Sequence, residues 1–138
     1  MQKKVTGIGG IFFRSGNPER SKAWYQQHLG LQTDAWGTNF EWRRADAPNQ
    51  PGFTQWSPMA ANSTHFAPSS RDFMLNFRVE NLAALLEELR ANGVTIVSEI
   101  ADFDYGRFAH IIDPDGIKIE LWEPNDKAYD QIVVGRTF

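Results

Sequence analysis

Asp113-Pro114-Asp115-Gly116 lies between Phe108-Ala109-His110-Ile111-Ile112 and Ile117-Lys118-Ile119-Glu120-Leu121-Trp122, and the fold is read outward from this stretch. Pro114 presets φ for the first turn position, Asp115 suits the second, and Gly116 takes positive φ without a steric cost. Between two strands this is a three-residue hairpin loop, a type I turn closed by a glycine bulge. Asp113 then faces Ile117, Ile111 faces Ile119, His110 faces Glu120 and Phe108 faces Trp122. Directly opposed Cβ atoms in such a pair lie about 4.5–5.5 Å apart. One face of the hairpin is apolar (Ala109, Ile111, Ile119, Leu121). The other carries Phe108, His110, Ile112, Lys118, Glu120 and Trp122. Helices should cover the first face, and the second should look into whatever concavity the sheet forms.

Upstream, Leu82, Leu85, Leu86 and Leu89 recur at i, i+3, i+4 and i+7, the stripe of an amphipathic helix, with Asn81 as N-cap and Gly93 as the stop. Asn17-Pro18-Glu19 opens a first helix that runs through Trp24 and Tyr25 to Leu29 and ends at Gly30. Phe73, Leu75, Phe77 and Val79 alternate with Met74, Asn76, Arg78 and Glu80, the period of a half-buried strand. Further strands are predicted at 5–14, 38–44, 52–57, 94–98 and 106–112, and loops at 45–52 and 58–72, which are rich in Pro, Asn, Ser and Ala. Phe13-Arg14-x-x-Asn17 before the first helix repeats as Phe77-Arg78-x-x-Asn81 before the second. Each half then reads strand, helix, strand, strand, strand. This predicts an α+β domain over 1–124 built from two related βαβββ modules, about 5–66 and 70–124, followed by a C-terminal extension, 125–138.

The chain has 138 residues, 41% hydrophobic and 22% charged, as expected of one globular domain rather than a disordered segment. A net charge of −3 with no block of one sign argues against nucleic acid or an anionic membrane as the main partner. Cysteine is absent, which excludes disulfides, thiolate metal sites and cysteine nucleophiles. No apolar run approaches the ~18 residues of a membrane span, and the N-terminus has no signal-like apolar core, so a cytoplasmic protein is expected. The unusual figure is 13% aromatic residues with 5 Trp, since large rings fill cores and also line small-molecule pockets.

Two βαβββ modules closing on Asp113-Pro114-Asp115-Gly116-x-x-x-Glu120 resemble the vicinal oxygen chelate superfamily, which includes glyoxalases, bleomycin- and fosfomycin-resistance proteins and extradiol dioxygenases. The resemblance covers residues 5–124, with Trp24-Tyr25 and His28-Leu29-Gly30-Leu31 fitting on and after the first helix. It implies a cupped, mixed, eight-stranded sheet with the helices on its outer face, and a homodimer. It also implies where metal-dependent members keep their ligands. Glu120 matches the glutamate of the last strand. The first-strand position falls on Gly10, its counterpart in the second module on Met74, and the one in the first module's last strand on Gln55 or Trp56. Of these, Glu120 alone is matched as a ligand. The extradiol pattern would have Tyr where His110 stands, and a further His where Phe103 to Arg107 offer none. Glycine and a thioether do not suit a divalent catalytic ion, which needs about three imidazole or carboxylate donors. No cofactor is therefore expected, although a divalent metal is an alternative.

Each candidate carries two readings. His110 and Glu120 form either a cross-strand pair at the sheet surface or a pocket pair for acid–base work or ligand binding. Gly10 marks either a bulge or a wider pocket floor. Met74, Asn76 and Arg78 share a face, and Arg78, like its repeat mate Arg14, either is solvated at the rim or holds an anionic substituent. Phe12, Trp42, Trp56, Phe108 and Trp122 either fill the core or line a cavity for a planar ligand. His28 and His65 are assigned no chemistry, and Tyr105 falls in a loop. The first functional reading is a protein that binds a small, partly aromatic organic molecule without a tightly held metal, resembling the drug-sequestering resistance proteins. The alternative is a metal-dependent lyase or dioxygenase using a relocated site around Glu120, His110 and a residue of the Gln55 strand.

Overall fold

The computed structural model describes residues 4–125 and 127–129. The element order is β1 (Val5–Ser15), α1 (Pro18–Leu29), β2 (Thr38–Arg44), β3 (Ala47–Ala60), a single 3-10 turn (Thr64–Phe66), β4 (Phe73–Val79), α2 (Leu82–Ala91), β5 (Thr95–Phe103), β6 (Gly106–Ile112) and β7 (Lys118–Pro124). Both helices start as their sequences direct. Asn17 and Asn81 each accept a hydrogen bond from the backbone three residues on, and Pro18 occupies the first turn of α1. Gly30, at φ 73°, closes α1 in the left-handed region. The chain leaves α2 through Asn92, with Gly93 at φ 78° one residue later.

The strands form one mixed sheet in the order β2-β3-β1-β4-β7-β6-β5. β1 and β4 are antiparallel neighbours at its centre, while β1–β3 and β4–β7 run parallel. The two modules are thus joined edge to edge, with Ile11 opposite Leu75 at the join. The hairpin register is as the turn predicts, with Phe108 on Trp122, His110 on Glu120 and Ile111 on Ile119. Its apolar face packs under α2. Leu82, Leu85 and Leu86 meet Ala109, Ile119, Leu121 and Val79 in the buried core, with Leu89 and Ile111 at its margin.

Seven strands are present among the described residues, not eight. The segment after α1 makes only an isolated bridge, Asp34 to Gly37, where Lys22 Nζ binds the Asp34 and Ala35 carbonyls and holds the chain in a tight loop. The loop expected at 45–52 shrinks to a two-residue turn. β3 begins at Ala47 and runs to Ala60, so it also takes in the start of the expected 58–72 loop. Pro48 and Pro51 are tolerated because that part of β3 pairs with β2 alone and needs no ladder on its other side. In the C-terminal extension, Ile132-Val133-Val134 are apolar enough in sequence to dock on the body or on a partner subunit, and they lie outside the described residues.

Candidate functional site

The sheet register lines up one residue from every strand on the concave side. Ser98, His110, Glu120, Asn76, Gly10, Gln55 and Asn39 are successive cross-strand partners from β5 to β2. Along this row Ser98 Oγ lies 2.8 Å from His110 Nδ1, His110 Nε2 lies 2.7 Å from Glu120 Oε2, and Asn76 Nδ2 donates to Glu120 Oε1 at 2.7 Å. The relay stops at Asn76, which is 2% exposed and whose Oδ1 has no hydrogen-bond partner among the described residues. Next to it stands Gly10, with no side chain to offer. A cavity of about 390 Å³ opens over this floor, shared by Gly9, Asn76, Glu120, His65, Phe12 and Trp36.

His65 completes the polar centre. Its Nε2 lies 3.8 Å from Glu120 Oε2, and single ligand atoms of His65, His110 and Glu120 all fall within 4.8 Å of one another. Local spacing assigns His65 no role, because its place depends on contacts remote in the chain. Ser63 caps the 3-10 turn by accepting from the His65 N–H. Arg14 holds the approach by donating to the Ala61 and Ser63 carbonyls and lying over the buried Phe66 ring. Lys118 Nζ donates to the His65 carbonyl at 2.6 Å. Arg14 is therefore engaged with the loop and does not line the cup as a ligand residue.

Charge is distributed to suit this centre. Burial pushes the Glu120 carboxyl up, but the hydrogen bond and charge of His110, the Asn76 bond and the charge of His65 together hold it below the usual range. Burial lowers the His65 imidazole, against an upward pull from Glu120 and with help from Lys118 and His110. Burial also lowers Lys118, again against the pull of Glu120. The centre thus presents a carboxylate beside an imidazole biased toward its neutral form. Two imidazoles and a carboxylate are a donor set that suits Zn²⁺, Fe²⁺, Mn²⁺ or Ni²⁺.

The remaining sequence candidates separate clearly. Phe12, Gln55, Asn76, Phe108, Glu120 and Trp122 line the cavity, and His110 backs it. Trp56 does not: it alternates to the other side of β3 and packs against Tyr25 of α1 and Phe13. Met74 is fully buried and outside the cavity lining. Arg78 is 3% exposed, with its guanidinium over the Trp42 and Trp122 rings, so it neither sits at a solvated rim nor opens into the main cavity. Trp42 crosses that end of the cup, its ring occupying the space that a Cβ at Gly7 or Gly52 would need. The register also revises the matched ligand position of the first module. Phe12 pairs with Ser57 as Asn76 pairs with Glu120, and Phe12 and Asn76 are separated by the repeat offset. Ser57, not Gln55 or Trp56, is therefore the counterpart of Glu120. Sequence reasoning also missed Trp36 and Tyr129. Trp36 is set over the mouth by the Lys22-clamped loop and accepts from Gln55 Nε2 through its carbonyl. Tyr129 enters from the C-terminal side, donates to Asn39 Oδ1 at 2.7 Å and packs edge-on to Phe53 and Trp122.

Comparisons with known proteins agree with this architecture. A family profile described as the Glyoxalase/Bleomycin resistance protein/Dioxygenase superfamily matches residues 7–121. Among the curated proteins, none matches. Solved structures similar to this chain include the methylmalonyl-CoA epimerase of Mycobacterium tuberculosis, at 22% identity and TM-score 0.58, covering 94% of this chain and 95% of that one. The Streptomyces coelicolor methylmalonyl-CoA epimerase (Q60A) in complex with 2-nitronate-propionyl-CoA matches at 13% identity and TM-score 0.64, covering 88% and 99%. A structure described as an NAD-dependent benzaldehyde dehydrogenase from Legionella pneumophila matches at 16% identity and TM-score 0.55, covering 84% and 98%. At these identities the likeness concerns the fold. With the profile spanning most of the chain and two modules joined at a central antiparallel pair, the protein belongs to the Glyoxalase/Bleomycin resistance protein/Dioxygenase superfamily.

Proposed function

We propose that the protein is a metal-dependent enzyme of its superfamily acting on a small, partly aromatic organic molecule held in the cup. The observation that carries this reading is the convergence of His65, His110 and Glu120 at the cavity floor. It favours the relocated-site alternative over metal-free binding, with His65 in place of a residue from the Gln55 strand. A divalent ion held by these three would polarise an oxygen substituent of the substrate. Around it, Ser98 orients the His110 ring, Asn76 fixes the Glu120 carboxylate, and Lys118 anchors the turn that carries His65. Phe12, Trp36 and Phe108 supply ring contacts and exclude water.

The test is the metal content of protein purified without chelators or a metal-binding tag. The expected result is close to one ion per chain, lost in Glu120→Ala, His110→Ala and His65→Ala. Less than about a tenth of an ion per chain, unchanged after incubation with Zn²⁺, Mn²⁺, Ni²⁺ or Fe²⁺, would overturn the metal reading. Metal-free ligand binding is the second reading, favoured by the direct His110–Glu120 contact, which satisfies both groups without an ion. A homodimer and a cytoplasmic location also belong to the proposal. Exposed Ile8, Ile11 and Phe73 on the outer side of the central strands support the dimer, which light scattering would detect. No described helix is long and apolar enough to cross a membrane.

A further inference from the structure

The two modules repeat the same positions around the cup and furnish them differently. Phe12 lies at the repeat offset from Asn76, and Ser57 is the counterpart of Glu120. Thr38 pairs with Trp56, so one step further along the same ladder Gly37 comes opposite Ser57, where the second module sets His110 opposite Glu120. A Cβ at Gly37 would lie 3.0 Å from Ser57 Cα, and φ there is 119°, a conformation suited to glycine. The polar trio His110, Glu120 and Asn76 is thus answered by Gly37, Ser57 and Phe12. Space takes the place of the missing polar side chains. A second cavity of about 430 Å³ opens beside Ser57 and Met59, which follow Gln55 at alternate positions of β3. Phe12, Trp36, Gln55, Tyr105 and Tyr129 border this cavity and the first alike, so the two adjoin. The first contains His65 and Glu120, whereas no charged side chain among the described residues borders the second.

We propose that the ligand has two parts, an oxygen-bearing head over His65 and Glu120 and a flat, uncharged apolar group that passes Phe12 and Trp36 to pack against Ser57 and Met59. Cavities of about 390 and 430 Å³ each have room for a ring and its substituents, so a ligand of one ring leaves one of them empty. A charged group at the far end would be buried among rings and a thioether, which offer it no counter-charge. Ser57 and Met59 then determine specificity, Ser57 by leaving the space open and Met59 by fitting its flexible side chain to the group that enters. The inference rests on the cup being the ligand site and adds the second cavity to it.

The experiment titrates the full-length protein with phenol, 4-phenylphenol and 4'-hydroxybiphenyl-4-carboxylate by calorimetry and ligand-observed NMR. 4-Phenylphenol should bind about thirtyfold more tightly than phenol, from the apolar area of its second ring, and the carboxylate should bind more weakly than 4-phenylphenol. In Ser57→Phe, whose ring fills the second cavity, the ratio of 4-phenylphenol to phenol affinity should fall to about threefold or less. Met59→Trp should have the same effect and serves if Ser57→Phe does not fold. Binding of phenol with no gain from the second ring would overturn the two-part ligand and leave the cup as the ligand site. A ratio that survives in both folded variants would place the second ring elsewhere and overturn it too. Carboxylate binding as tight as that of 4-phenylphenol would overturn the uncharged far group. Binding of none of the three would overturn the aromatic-ligand reading of the cup together with this inference.

Discussion

Replacing Glu120 by Gln changes the charge of the site and little of its shape. In the native protein the carboxylate accepts from Asn76 Nδ2 and meets His110 Nε2, both at 2.7 Å. A glutamine can keep the first bond with its oxygen and offer its amide N–H to His110 Nε2, with His110 Nδ1–H then donating to Ser98 Oγ. What disappears is charge assistance. Hydrogen bonds to ionised groups contribute about 1.5–3 kcal/mol and neutral ones about 0.5–1.5, so two bonds lose about 2 kcal/mol together. Relief from burying a charge returns part of that. The downward displacement of the Glu120 carboxyl says that its partners outweigh burial, so the net cost should be about 1–2 kcal/mol. Urea denaturation of both proteins at pH 5 and at pH 3 measures it. A carboxyl held below its ordinary value contributes its stabilisation fully above that ordinary value and loses it as pH falls through the folded-state value. The gap between the two proteins should therefore be present at pH 5 and narrower at pH 3. A variant as stable as the native protein at pH 5, or a gap that widens on acidification, would refute the reasoning and show that desolvation dominates this carboxylate.

Lys118→Met should release the turn that carries His65 and weaken Zn²⁺ binding about tenfold, measured by competition with a chromogenic chelator, with the far-UV spectrum unchanged. Leu82→Ala, at a fully buried site between α2 and the sheet, should cost about 2–5 kcal/mol in urea denaturation. Gly52→Ala should destabilise the fold by about 1–3 kcal/mol, because its methyl meets the Trp42 ring. His65 is held below its ordinary value of about 6.5, mainly by burial, so the unfolded chain binds more protons in the window just below that value. Native stability should fall as pH drops through this window, and His65→Asn should flatten the fall in a pH series of melting temperatures.

The second module was the more legible half. Its helix, its hairpin and the His110–Glu120 register all depend on neighbours close in sequence, and a turn of defined geometry fixes which residues face each other. The first module was harder to read. Its long β3 runs through Pro48 and Pro51, which read as loop, because a strand paired on one side only does not reveal itself by composition. Of the two readings open for Trp56, core or cavity, local spacing does not choose, because neither of its ring partners, Tyr25 and Phe13, is fixed by neighbours in sequence. His65 was invisible for the same reason. Its position is set by Arg14 and Lys118, 49 residues before Ser63 and 53 after His65 in turn. The local half of the polar centre could be read from the sequence, whereas the donor contributed by the other module could not.

The Trp42 ring lies where both Gly7 and Gly52 would carry a Cβ. Three positions on three strands are consequently bound into one unit, and the order in which they could change is restricted. A side chain at either glycine is obstructed while the indole is present, and shrinking the indole first leaves a void beside Arg78, whose guanidinium lies over that ring. Among related chains, glycine at 7 and 52 should accompany tryptophan at 42, and a residue with a Cβ at either strand should accompany a smaller side chain there. Such a correlated triplet would trace the closed end of the cup through sequences too divergent to align by identity alone.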